Sequence, residues 1–222
     1  MVIAVRSPRR GVAKKESPLA TDSRKLAAVV RQNPDRLRSV IEGVSSSDTC
    51  EKYRAVKTLK FLSEDAPEIL YPYWNELLGL LDHDSAFIRW DAMRMIANLA
   101  HIDHENRMPR ALDRLLKPIG GHEMVGAANA IQAAAIIAQV RPELAKRIVP
   151  SILDVERAVY KTPECRNVVI GHALTALNGC FEQIGSAQEA VLRFAKGQLK
   201  NPRASTRRKA GTFLKRNSAL KT

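Results

Sequence analysis

A chain of 222 residues with 45% hydrophobic, 5% aromatic and 27% charged residues is too apolar to be disordered throughout, and it builds its core from small and aliphatic side chains rather than rings. Its net charge of +13 suggests nucleic acid until the charge is mapped: residues 1–21 carry +4, residues 190–222 carry +10, and the 168 residues between them sum to −1. A uniformly basic groove running the length of the chain is thereby excluded.

The apolar run Met1–Val5 is shorter than a secretory core and is followed, not preceded, by Arg6, Arg9 and Arg10. No stretch of about 18 apolar residues follows it. A cytoplasmic location without membrane contact is therefore expected. Cys50, Cys165 and Cys180 are odd in number, widely spaced and without a CxxC pair, which reads as reduced thiols rather than a disulfide frame or a zinc site.

Residues 1–21 read as a flexible basic segment and residues 22–222 as one domain. Thr21-Asp22-Ser23 can cap a helix over residues 22–32. Helices then alternate in pairs. First helices are predicted over 34–44, 67–81, 104–117, 142–158 and 187–199, and second helices over 48–63, 85–100, 123–139, 164–183 and 203–216. Turns fall at Ser45-Ser46-Ser47, Asp82-His83-Asp84, Gly120-Gly121, Lys161-Thr162-Pro163 and Asn201-Pro202.

The pairs repeat. Small residues Ala55, Ala92, Ala130, Ala173 and Ala210 recur at spacings of 37, 38, 43 and 37. Four residues after them stand Leu59, Ile96, Ala134, Leu177 and Leu214, and seven after the first four stand Leu62, Leu99, Ile137 and Cys180. These offsets share one helix face, which must be the buried one. Pro67-Glu68-Ile69-Leu70 and Pro142-Glu143-Leu144-Ala145 are 75 residues apart, as are Ala55 and Ala130, so an independent feature gives the same period. Proline followed by glutamate is a favourable helix start.

The apolar helix ending at Leu81, the turn Asp82-His83-Asp84, and then Ile88-Arg89-Trp90-Asp91-Ala92 resemble the HEAT repeat. The resemblance covers residues 34 to about 216 and implies an all-α, right-handed solenoid of about five HEAT-like (armadillo-type) hairpins with an extra N-terminal helix. Units three and four depart from the pattern, with Ala127 and Ile170 where Arg89 stands, and the fourth spacing is long. These departures read as local changes in curvature.

In such solenoids the second helices line the concave face. The resemblance therefore places Arg54 and Lys57, Asp91 and Arg94, Asn129 and Gln132, His172 and Thr175, then Lys209 and Thr212 in an outward-facing polar ladder. Such a ladder serves either as a groove for a protein partner or as a solvated face that keeps the array soluble. The cluster Arg203, Arg207, Arg208, Lys209, Lys215 and Arg216 can neutralise phosphates without reading sequence. It can equally be the polar outer face of a terminal cap, with Phe194 and Phe213 belonging to the core.

Trp90 beside Asp91 invites comparison with the alkylpurine DNA glycosylases that use HEAT-like repeats and hold an acid under a cationic base. Adjacent helical side chains diverge by about 100°, and Tyr53 occupies the position equivalent to Trp90, which favours packing between repeats. His101, Asp103 and His104 read as a polar loop rather than a metal site, and Cys165 as a structural thiol. No catalytic group, cofactor or metal is expected. The sequence thus predicts a non-enzymatic scaffold for a protein partner, with non-specific nucleic-acid contact at the basic C-terminal end as the alternative and a glycosylase as the third reading.

Overall fold

The computed structural model describes residues 17–217. Most of the expected N-terminal segment therefore lies outside the described residues. The first helix, α1 (Pro18–Gln32), begins earlier than the sequence predicts: Ser17 caps it by accepting from the Ala20 amide, while Ser23 is buried and donates to the Arg54 carbonyl. A proline at the first helical position sets that start, because its missing N–H costs nothing there.

Five hairpins follow. The first pairs α2 (Leu37–Gly43) with α3 (Thr49–Asp65), and the second pairs α4 (Pro67–Leu70) and α5 (Trp74–Gly79) with α6 (Ala86–Asn98). The third joins α7 (Met108–Leu116) to α8 (Met124–Val140), the fourth α9 (Ala145–Leu153) to α10 (Pro163–Cys180), and the fifth α11 (Gln188–Gly197) to α12 (Ala204–Asn217). The expected helix over 67–81 is interrupted by a 3₁₀ turn at Tyr71–Tyr73 containing Pro72, and α7 starts four residues later than expected, after a turn in which Asn106 takes φ 53°.

The inner helices α1, α3, α6, α8, α10 and α12 stack in that order, each on the next. The five marker alanines form the seam: Ala92, Ala130, Ala173 and Ala210 are fully enclosed and Ala55 nearly so. Leu59, Ile96, Ala134 and Leu177 follow on the same face and are equally enclosed. Leu214 is only partly buried, since among the described residues no further helix packs over it, and Asn217 on the same helix donates to the Phe213 carbonyl and to Asn178. Gly171 lets α12 approach α10 closely, since a Cβ there would lie 2.9 Å from Thr206 Oγ1.

Polar clasps lock one repeat to the next. On the outer helices Arg114 donates to the Leu78 carbonyl and to Asp82, and Arg147 repeats the motif on Pro109 and Asp113. Asp82 and Asp113 are well exposed, so these ion pairs set register and add only about 0–1 kcal/mol each. The long fourth spacing accommodates a loop carrying Tyr160, whose buried hydroxyl donates to the Ile119 carbonyl at 2.6 Å.

The sequence reading of the 101–104 segment as a polar loop misses Asp103. Its carboxylate is fully enclosed and accepts from the Tyr71 hydroxyl at 2.8 Å, the Arg107 and Met108 amides at 2.8 Å each, and the Arg141 guanidinium at 3.0 Å. One side chain thus ties together parts of three repeats. Burial alone would raise its pKa, but the bonds from Met108, Arg107, Tyr71 and Arg141 outweigh that and hold it below the ordinary 3.8.

This packing makes the seam and the buried carboxylate sensitive to substitution. Ala92→Leu or Ala130→Leu overpacks the seam and costs about 1–3 kcal/mol in chemical denaturation; unchanged midpoints for both would refute the repeat frame. Asp103→Ala strands Arg141 and two amides and costs about 3–5 kcal/mol. Because the folded carboxyl titrates below its unfolded value of 3.8, its contribution is complete above that pH and is lost as pH falls through the folded value. The wild type therefore shows an acid-induced loss of stability in that range that the Asp103→Ala variant lacks, measured as melting temperature against pH.

Candidate functional site

Opposite the buried seam, each inner helix presents three further offsets on one stripe, since residues four and seven apart share a helix face. Counted from the marker alanine they lie at −5, −1 and +2. The last two are the predicted ladder. The first adds Cys50, Phe87, Val125, Val168 and Ser205.

The ladder residues differ in what they already hold. Arg54 is exposed and Arg94 half-buried, and neither guanidinium has a hydrogen bond or ion pair among the described residues. Lys57 and Lys60 instead converge on Asp91, at 3.7 and 2.6 Å. Asn129 donates to the Val125 carbonyl of its own helix and Thr175 to that of Gly171, while Gln132 is half-buried and makes no such bond among the described residues. His172 is pushed below its ordinary 6.5 by burial and by the Lys209 cation, so it is neutral at pH 7 and acts as a polar group rather than an ion.

The six C-terminal cations divide in two. Arg203 pairs with Glu164, Arg207 donates to the Asn201 and Pro202 carbonyls, and Lys209 donates to the Gly171 carbonyl at 2.9 Å. Arg89 makes the same clasp as Arg207 in the second hairpin, holding the His83 and Asp84 carbonyls; both stand three residues before a marker alanine. Arg208, Lys215 and Arg216 are exposed and hold no partner among the described residues. The expected phosphate cluster is therefore half structural.

Phe87 and Val125 are absent from the predicted ladder. They are exposed at 64% and 40%, and Phe87 lies edge-on to Trp90 with ring centroids 5.1 Å apart. Their shared −5 offset is a signal legible in the sequence, although only the structure shows that it faces solvent. Tyr53, one repeat before Trp90, bonds Ser85 Oγ across the repeat boundary at 3.0 Å, as expected for a packing position. Trp90 packs toward Gly126 instead, and its indole Nε1 has no partner among the described residues. The thiols of Cys50, Cys165 and Cys180 are unbonded to one another, and burial pushes Cys180 up to about 12. Among the described residues no group of three His, Cys, Asp or Glu could hold a metal, and no helix is long and apolar enough to cross a membrane.

A designed armadillo repeat protein in complex with the peptide (KR)4 superposes with TM-score 0.60 at 14% identity, covering 89% of each chain. A second designed armadillo repeat protein gives 0.56 at 18% identity over 91% of this chain and 95% of that one. An engineered protein gives 0.59 at 18% identity over 92% and 94%. The fold is that of armadillo/HEAT-type helical-repeat proteins. At these identities the likeness shows architecture alone. No family model and no curated protein matches the sequence.

Arg207→Ala removes the clasp on the last turn and lowers the melting temperature, whereas Arg208→Ala, at a side chain with no hydrogen bond or ion pair among the described residues, leaves stability within about 0.5 kcal/mol of wild type. Thermal denaturation followed by far-UV circular dichroism makes the comparison; equal effects would remove the distinction between the two sets.

Proposed function

We propose that this chain is a non-enzymatic scaffold that holds a protein partner on the inner-helix stripe. The observation that carries the reading is that the stripe recurs through all five hairpins while Arg54, Arg94, Phe87 and Val125 on it remain uncommitted to the packing of the repeats. A concave face built in this way suits an extended ligand, and a designed neighbour of the same fold is known with a bound peptide. Asp91, the acid a glycosylase reading needs, is already occupied by Lys60 and Lys57, which supports a binding role over that chemistry.

Changing Arg54, Arg94, Asn129 and His172 together to alanine should abolish capture of the dominant cellular partner at unchanged helical content. Asp91 is left intact because Lys60 depends on it. Equal capture by the folded variant would remove the stripe from consideration.

One observation favours a second reading. Arg208, Lys215 and Arg216 are exposed, unpaired among the described residues, and share the terminal helix. Contact with phosphates there would be independent of nucleic-acid sequence and would weaken steeply with salt. Reversing all three charges should eliminate duplex binding in a mobility-shift titration at low salt; absence of binding by the intact protein would dispose of this reading.

A further inference from the structure

The charges around the exposed aromatic pair are unevenly spent. Of the four acids beside it in sequence or on the crevice wall, Asp82 pairs with Arg114, Asp91 with Lys60 and Lys57, and Glu123 with Arg89, while the exposed Asp84 carboxylate holds no partner among the described residues. Three cations in the same region, Arg54, Arg94 and Lys117, hold no partner among the described residues. Arg54 also borders a crevice of about 290 Å³ with Arg36 and Ser39 on its wall. Lys117 borders a second one, of about 300 Å³, between the second and third hairpins, walled by Trp90, Met93 and Pro118.

Phe87 lies edge-on to Trp90, which lines this second crevice, and the exposed Phe87 ring leaves an apolar platform that the described residues do not cover. Val125 takes the equivalent place on α8. Trp90 Nε1 remains without an acceptor among the described residues, although Tyr53 at the same offset has a partner. An isolated apolar residue on a surface needs no explanation, but a ring pair on a stripe that also carries two unpaired arginines, with three of its four neighbouring acids already paired, favours a ligand of opposite character.

Resting on the proposed protein-binding role, we propose that the partner is an acidic extended segment with an apolar side chain seated on Phe87 and Val125. Its carboxylates meet Arg54 on α3 and Arg94 on α6. Packed helices lie about 8–10 Å apart and an extended strand advances about 3.3 Å per residue, so about eight residues span the first three hairpins. The required sign is opposite to that of the (KR)4 peptide held by the designed neighbour: the uncommitted cations here would repel such a ligand.

The test uses the full chain and three fluorescein-labelled peptides of about eight residues, read by anisotropy. One alternates glutamate with two leucines, one replaces the leucines by serine, and one replaces the glutamates by lysine. The glutamate–leucine peptide should bind, and both others should bind roughly tenfold or more weakly. Phe87→Ser should lower affinity for the first peptide about tenfold with Phe87→Leu restoring it, and Arg54→Glu with Arg94→Glu should do likewise. Circular dichroism confirms that each variant is folded. Equal binding of the serine peptide, or an unchanged Phe87→Ser variant, overturns the apolar anchor; equal binding of the lysine peptide overturns the charge assignment. If no peptide binds while the four-alanine variant still loses its cellular partner, this inference falls and the binding role stands. Retention of that partner overturns the binding role itself.

Discussion

Each hairpin of this protein buries its apolar face against the neighbouring hairpins, and the closeness of that contact is set by one small side chain per inner helix. With alanine at the seam, adjacent helix backbones approach until the leucines and isoleucines four and seven residues on interlock between them. Everything else hangs on this spacing. It fixes where the outer helices meet, and it turns the face opposite the seam outward in every repeat. The fifth hairpin shows the rule by its exception, because Leu214, over which no described helix packs, stays partly exposed.

Directional polar contacts then select one register from the many that apolar packing alone would allow. The arginine clasps all reach backbone carbonyls, of Leu78 and Pro109 on the preceding outer helices and of His83 and Asn201 in the turns. Asp103 is the strongest of these devices, since a buried carboxylate with four donors has no equally good arrangement available to it elsewhere. Its partner Arg141 also holds Glu143 and Asn106, so one guanidinium joins the turn regions of neighbouring repeats.

Such thorough pairing gives meaning to what is left over. Surface cations are ordinarily uninformative, but here Asp91, Glu123 and Asp82 are held by structural lysines and arginines, while Arg54 and Arg94 hold no partner among the described residues. The same sorting divides the basic terminal helix. Net charge measured along the sequence treats Arg207 and Arg208 alike, whereas one is a turn clasp and the other is available to a ligand.

Periodicity alone determined the all-α class, the five hairpins and the enclosed seam, because a buried helix face leaves a mark every three or four residues and a repeat leaves it again every 37 or so. The ladder positions followed from the same frame. Only the tertiary structure decided which ladder groups are committed: that Lys60 reaches Asp91, that Arg141 reaches Asp103 across 38 residues, and that Phe87 is left standing over Trp90. Those outcomes depend on distances between repeats and on competition among several donors for one acceptor, and neither quantity is written in the order of residues along a single helix.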